Sequence, residues 1–207
     1  MSQKELFHLH IIMNGGENMK FYDLSNHQGK INLNIDSRIS DADAFIFKAT
    51  EGTYFVDECC DFFVQQAIQM NKPFGVYHFL DKSDVIQQAE FFYNRIKVYV
   101  GEAILVLDYE AYGRQGAVKA KQFLDHLYNL TKVRAWIYMN ESDSNEDNWN
   151  NISKDYGWWA AKYSRSLPNS KSNLFMVAWQ YKEVPLDTNI FLGNQEAWNK
   201  YAKGDRE

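Results

Sequence analysis

Two acids separated by one residue close an apolar run in this chain, Ile104-Leu105-Val106-Leu107-Asp108-Tyr109-Glu110. Four consecutive apolar residues predict a strand buried on both faces. Side chains alternate along a strand, so Asp108 and Glu110 point to the same side. At about 3.3 Å rise per residue their Cα atoms lie roughly 6.6 Å apart. Carboxyls that close drive their pKa values apart, so that one keeps its proton while the other ionises. Glycoside hydrolysis uses that split: an acid protonates the leaving oxygen, and a carboxylate stabilises positive charge at the anomeric carbon. The spacing alone leaves a second reading open, a pair that caps the next helix or meets solvent. Asp23, after Phe21-Tyr22, and Asp187, in Leu186-Asp187-Thr188-Asn189, add two further acids. Each taken alone reads as a turn or cap residue.

Other chemistries fit the residue pattern less well. The histidines stand at positions 8, 10, 27, 78 and 126, with no His-x-x-x-His and no Cys-x-x-Cys, so no metal site is expected. His78 reads as a hydrogen-bonded framework residue. No Gly-x-Ser-x-Gly elbow, Walker loop or dinucleotide fingerprint occurs, and no cofactor is expected. The adjacent Cys59 and Cys60 would make a strained disulfide and are expected reduced. A net charge of -5 argues against a nucleic-acid partner. No apolar run is long enough to span a membrane. Residues 1–18 lack the basic, apolar and small-residue segments of a signal peptide, so the expectation is a soluble, monomeric chain made in the cytoplasm.

The elements that must position these acids follow from hydrophobic pattern. Apolar runs rich in β-branched and aromatic residues recur at 21–22, 44–47, 74–79, 103–107, 135–138, 158–161, 174–179 and, weakly, near Ile190. Helix-like stretches lie between several of them: 57–70, with an apolar face of Phe62, Phe63, Ala67 and Met70; 83–98; 116–130, with Val118, Phe123, Leu127 and Leu130; and 143–153. Continuous apolar strands alternating with helices signify a covered parallel sheet. About eight runs predict a single irregular α/β barrel, TIM-barrel-like, with about eight strands and fewer than eight helices. An open doubly wound sheet is the alternative. Asn14-Gly15-Gly16 is a turn signal, so residues 1–18 read as a dispensable extension and 19–207 as one catalytic domain. In a barrel the carboxyl ends of the strands share one face, and Asp23, His78, Asp108, Glu110 and Gln180 all follow predicted strands.

Segments in fixed order sharpen this. Asp23-Leu-Ser25-Asn-His-Gln28-Gly29, Lys48-Ala-Thr50-Glu51-Gly52-Thr53, Gly75-Val-Tyr77-His78-Phe79, Leu107-Asp108-Tyr-Glu110, Trp136-Ile-Tyr138, Trp158-Trp-Ala160-Ala-Lys-Tyr163, Trp179-Gln180-Tyr181 and Asp187-Thr-Asn189 together resemble glycoside hydrolase family 25, the Chalaropsis-type lysozymes common in phage endolysins and bacterial autolysins. The resemblance covers about residues 20–192. It implies an irregular β/α barrel and cleavage of the β-1,4 bond from N-acetylmuramic acid to N-acetylglucosamine in cell-wall peptidoglycan, with retention. It further implies Glu110 as general acid/base, Asp108 as companion carboxylate, Asp23 and Asp187 as flanking acids, and Tyr77, Tyr138, Trp179 and Tyr181 as groove residues. Asp108 has two open roles, nucleophile or guide of the substrate's own N-acetyl group. Glu51 is assigned to a supporting network. Wall-binding repeats, frequent in the family, are not expected after the last motif. Release to the wall is expected to depend on a separate hole-forming protein. Two other functions stay in view: a non-catalytic glycan-binding module, and a hydrolase of another N-acetylated polymer such as chitin.

Overall fold

The structure is a computed structural model, and it describes residues 18–164 and 166–205. Eight strands close into a barrel: β1 (Met19–Leu24), β2 (Ala44–Glu51), β4 (Phe74–Phe79), β5 (Ala103–Asp108), β6 (Trp136–Asn140), β7 (Trp158–Ala161), β8 (Met176–Lys182) and β9 (Thr188–Phe191). A short β3 (Phe55–Val56) folds back on β2 as a hairpin. The order around the barrel is β1-β2-β4-β5-β6-β7-β8-β9, with β9 returning to β1. Neighbours run parallel from β1 to β8. The weak run near Ile190 forms β9, which is antiparallel to both neighbours. The expected wholly parallel sheet is corrected there. The reason is a five-residue connection from β8 to β9, too short for the crossover that a parallel return needs.

Side-chain alternation sorts the core into two layers. Phe45, Phe47, Val76, Leu105, Leu107, Ile137, Met139 and Trp158 face outward under the helices. Phe21, Ala44, Ile46, Ile104, Val106, Trp136, Trp159 and Phe191 fill the barrel. Both sides of β5 are covered and all six of its residues are buried, which is why it reads as an unbroken apolar run.

Among the described residues four α-helices accompany the barrel: α1 (Cys60–Gln69), α2 (Val85–Ile96), α3 (Ala117–Thr131) and α4 (Gln195–Lys203). The first two lie within the expected stretches, and the third matches 116–130 but runs one residue further, to Thr131. Asp84 caps α2 by accepting from the N–H groups of Ile86 and Gln87, both at 3.0 Å. The apolar faces need correction. Phe62 on α1 is exposed, and so are Val118 and Leu130 on α3. The buried faces are Cys60, Phe63, Val64 and Ala67, and Ala117, Ala120, Phe123, Leu124 and Leu127. Cys59 and Cys60 are buried free thiols.

The expected helix over 143–153 does not form; the segment holds a single 3-10 turn, Asp143–Asn145, followed by turns. Its Asp and Asn side chains compete for the backbone. Asn145 Nδ2 donates to the Glu141 carbonyl at 2.7 Å, and Asn148 Oδ1 accepts from Asn150 N–H at 3.1 Å. Asp147 accepts from Ala117 N–H at 2.7 Å and so caps α3 instead. The fourth helix is α4, after the last strand. Asn194 caps it, and its Trp198 is fully buried, edge-on to Phe21, Trp136 and Phe191 at centroid distances of 5.5, 5.8 and 5.4 Å. That helix plugs the floor of the barrel. Among the described residues the connections β6–β7, β7–β8 and β8–β9 carry no α-helix. Among the described residues no helix is long and apolar enough to cross a membrane. His8 and His10 lie outside the described residues.

Candidate active site

At the end opposite α4 the barrel opens into a cleft, open to solvent and lined by Asp23, Asp108, Glu110 and Asp187 among others. Asp23 is the next-to-last residue of β1 and Asp108 the last of β5. Asp187 precedes β9, whose reversed direction puts its beginning where the other strands finish. Glu110 follows Asp108 after Tyr109. The local fold explains why the two acids share a side. Tyr109 N–H donates to the Tyr138 carbonyl at 2.9 Å, which extends the β5–β6 ladder by one residue. The Tyr109 ring turns outward, edge-on to Trp149 at 5.0 Å. Its neighbours on either side therefore turn into the cleft.

The turn behind Glu110 is tightly constrained. Ala111 sits in the left-handed region at φ 48°. At Gly113 an added Cβ would come 1.7 Å from the Leu80 carbonyl oxygen. The Gly113 N–H returns to the Glu110 carbonyl at 3.0 Å.

All four carboxyls hold their protons more tightly than usual. Burial pushes Asp23 up to about 8, with the charge of Asp187 adding to it and donors from Asn189 and Gln180 opposing it. Burial, then Glu183, raises Asp187 to about 6. Burial and the charge of Glu110 raise Asp108 well above the carboxylate range. Burial, then Asp187 and Asp143, raise Glu110. Lys48 pulls the last two down. Its buried ammonium lies 2.6 Å from Glu51 Oε2 and 4.9 Å from the centre of the Phe79 ring. Glu51 also accepts from the Tyr112 hydroxyl, so it ties β2 to the turn that carries Glu110. Asp108 Oδ1 is buried without a hydrogen-bond partner among the described residues, an acceptor left over for a ligand donor. Among the described residues no group of three or more His, Cys, Asp or Glu is arranged to hold a metal ion.

Of the expected groove residues, Tyr77 and Tyr138 line the cleft, whereas Trp179 and Tyr181 are not among its lining residues. On β8 the inward position falls to Gln180, between the two aromatics. The Trp179 indole donates to the Lys162 carbonyl at 2.9 Å. Trp159, Tyr163 and Lys48 line the cleft without having been singled out from the sequence, and Gln180, expected there only as a strand-end residue, lines it with them. Each lies inside a quoted motif, and strand parity carried forward from Tyr138 or Asp23 would have found them. His78 lies under the barrel wall, its Nδ1 2.8 Å from Thr50 Oγ1 and its Nε2 3.1 Å from Gln88 Oε1. Asp81 N–H also donates to Gln88 Oε1, so that oxygen is an acceptor and Nε2 carries the proton. Burial lowers His78 to about 4, and the ring stays neutral.

The family model for glycosyl hydrolases family 25 matches residues 22–189. The chain belongs to that family. Its members with known names or structures frame the comparison. An autolytic lysozyme of Clostridium acetobutylicum is 29% identical over 170 residues, covering 80% of this chain and 51% of the relative. This family 25 chain thus spans about half the length of that curated relative. A muramidase from Acremonium alcalophilum superposes with TM-score 0.80 at 22% identity, covering 90% of this chain and all of the other. The CTP1L endolysin superposes with TM-score 0.71 at 25% identity, covering 91% of this chain and 71% of the other.

Proposed function

We propose that this family 25 chain is an N-acetylmuramidase, which hydrolyses the β-1,4 bond from N-acetylmuramic acid to N-acetylglucosamine in peptidoglycan. The observation that carries the reading is the pair Asp108 and Glu110 on one side of an open cleft, with both carboxyls raised by burial and by neighbouring acids. Such a pair titrates together and keeps one proton through pH values at which isolated carboxyls are ionised. Glu110, the more exposed of the two, delivers that proton to the leaving glycosidic oxygen and later recovers one from water. With the shared proton on Glu110, Asp108 faces the anomeric centre as a carboxylate, a state favoured by the positive charge that develops there. Its unpartnered Oδ1 serves either as nucleophile or as acceptor for the substrate N-acetyl N–H. Trapping of a covalent glycosyl-enzyme separates those roles. Either route retains the anomeric configuration. Asp23 and Asp187 flank the pair, and Tyr77 and Tyr138 contribute to the groove.

Release of reducing ends from purified peptidoglycan, with the masses of the fragments, tests this. Wild-type chain releases muramic-acid-terminated products, and Glu110→Gln loses at least about a hundredfold in rate, as removal of a general acid does. An unaffected Glu110→Gln removes Glu110 from its role. Cleavage of chitin but not peptidoglycan reassigns the substrate, and binding without turnover leaves a glycan-binding module. Within the same reading the chain acts as a monomer, residues 1–18 are dispensable so that a chain starting at Met19 keeps the activity, and the wall is reached through a separate hole-forming protein.

A further inference from the structure

The four acids of the cleft are not treated alike by their surroundings. Asp23 alone among them accepts side-chain amide hydrogens: Oδ2 takes Nδ2–H of Asn189 at 2.7 Å and Nε2–H of Gln180 at 3.1 Å. An amide is useful as a donor only if it cannot turn its oxygen inward, and both amides here are held from behind. The Trp159 indole N–H, which can only donate, meets Asn189 Oδ1 at 2.9 Å. Asn189 Nδ2 is in turn surrounded by acceptors, the Asp23 carboxylate and the carbonyls of Phe21 and Asp187, each carbonyl at 3.3 Å. Gln180 Oε1 accepts two hydroxyls, from Tyr138 at 2.8 Å and Tyr163 at 2.7 Å. Five side chains from four strands and the segment after β7 therefore converge on one carboxylate oxygen.

We propose that Trp159, acting through Asn189, and the Tyr138/Tyr163 pair, acting through Gln180, are positioning residues that lock both amides with N–H toward Asp23, making its Oδ2 a fixed acceptor. A proton taken up by Asp23 then resides on Oδ1, and Asp23 offers substrate a group of one defined polarity on a defined side. Around it in the same cleft stand Asp108, Glu110 and Asp187 as acids, Lys48 as the cation, His27, and the phenols of Tyr77, Tyr138 and Tyr163. None of these is changed by substitutions at Trp159 or Asn189, so a response of Asp23 to those substitutions reports the amide bonds themselves.

The test is titration of Asp23 by carbon NMR of γ-labelled aspartate, with the resonance assigned by its loss in Asp23→Asn. Loss of a donor disfavours the carboxylate. Asn189→Ala is expected to move the Asp23 midpoint up by about one pH unit, the size of one hydrogen bond to a charged group. Trp159→Phe keeps an aromatic ring but removes the N–H, and moves the midpoint in the same direction by less. The deciding comparison is the double variant. Trp159→Phe adds no movement in the Asn189→Ala background if it acts through Asn189; an equal movement in both backgrounds, or none in either, overturns the proposal. Should Asn189→Ala fail to fold, Asn189→Ser takes its place in the same double comparison. A second arm rests on the muramidase reading: kcat of Trp159→Phe falls severalfold while KM stays within about twofold. A wild-type chain that does not cleave peptidoglycan refutes that reading and leaves the titration result standing.

Discussion

Gly113→Ala is the most demanding test of how Glu110 is held. The added Cβ would lie 1.7 Å from the Leu80 carbonyl oxygen and 2.6 Å from its carbon. Both contacts are to backbone, so no side-chain rotation relieves them. Reaching a tolerable 3.0 Å requires the two segments to part by about 1.3 Å. Leu80 is itself tied by its N–H to the Asp108 carbonyl at 3.0 Å, so the segment that must yield is the turn from Glu110 to Gly113. A misplacement of about 1 Å at a reacting group costs on the order of a hundredfold in rate, and overpacking of this kind costs about 1–3 kcal/mol of stability. The expected outcome is a folded variant with a lower melting temperature, kcat on peptidoglycan reduced by about two orders of magnitude, and KM changed much less. Wild-type kcat together with a wild-type melting temperature would show that the turn is free to move and that Glu110 does not depend on it.

Two further predictions concern stability. Asp187 has its folded-state pKa raised to about 6 from 3.8, so the native chain binds this proton more tightly than the unfolded one. The stability it contributes is present at low pH and is lost as pH rises from about 4 through 6. Asp187→Asn is therefore expected to be more stable than wild type at pH 8, by on the order of 1 kcal/mol once screening at this partly open site is allowed for, and indistinguishable at pH 3. Melting curves across that range check the sign, and a gain largest at low pH refutes it. Trp198→Ala empties the barrel floor and is expected to cost about 3–5 kcal/mol in chemical denaturation, with cleft residues left in place in whatever fraction stays folded.

The barrel was legible because β2, β4, β5 and β6 are covered on both faces and so appear as continuous apolar runs. Asp108 and Glu110 were legible for a related reason: an i, i+2 pair at the end of such a run shares a side by strand parity alone. What escaped was whatever depends on a partner distant in sequence. The 143–153 stretch has helical length, but its Asp and Asn side chains bond to Glu141, Ala117 and backbone nearby. The α4 helix follows the last strand and carries one large apolar anchor, Trp198, whose value appears only when the barrel floor exists to receive it. Trp179 and Tyr181 were assigned to the groove on the resemblance, and strand parity, which turns Gln180 inward between them, was the better guide. Asn189 stood out only as a motif member and Gln180 only as a strand-end residue, since the role of an amide shows when a carboxylate stands beside it.

The seam of the barrel joins its earliest strand to its latest, and the helix that seals the floor comes later still. Residues 19–24 thus wait for partners near 188–191 and for a tryptophan at 198. Contacts so far apart along the chain make folding slow. During synthesis β5 and β6 are complete while the cylinder is still gapped and its interior aromatics wet. Asp23 acquires Asn189 as a neighbour only at closure, so the full set of four acids comes together only once the residues near 189 have been made.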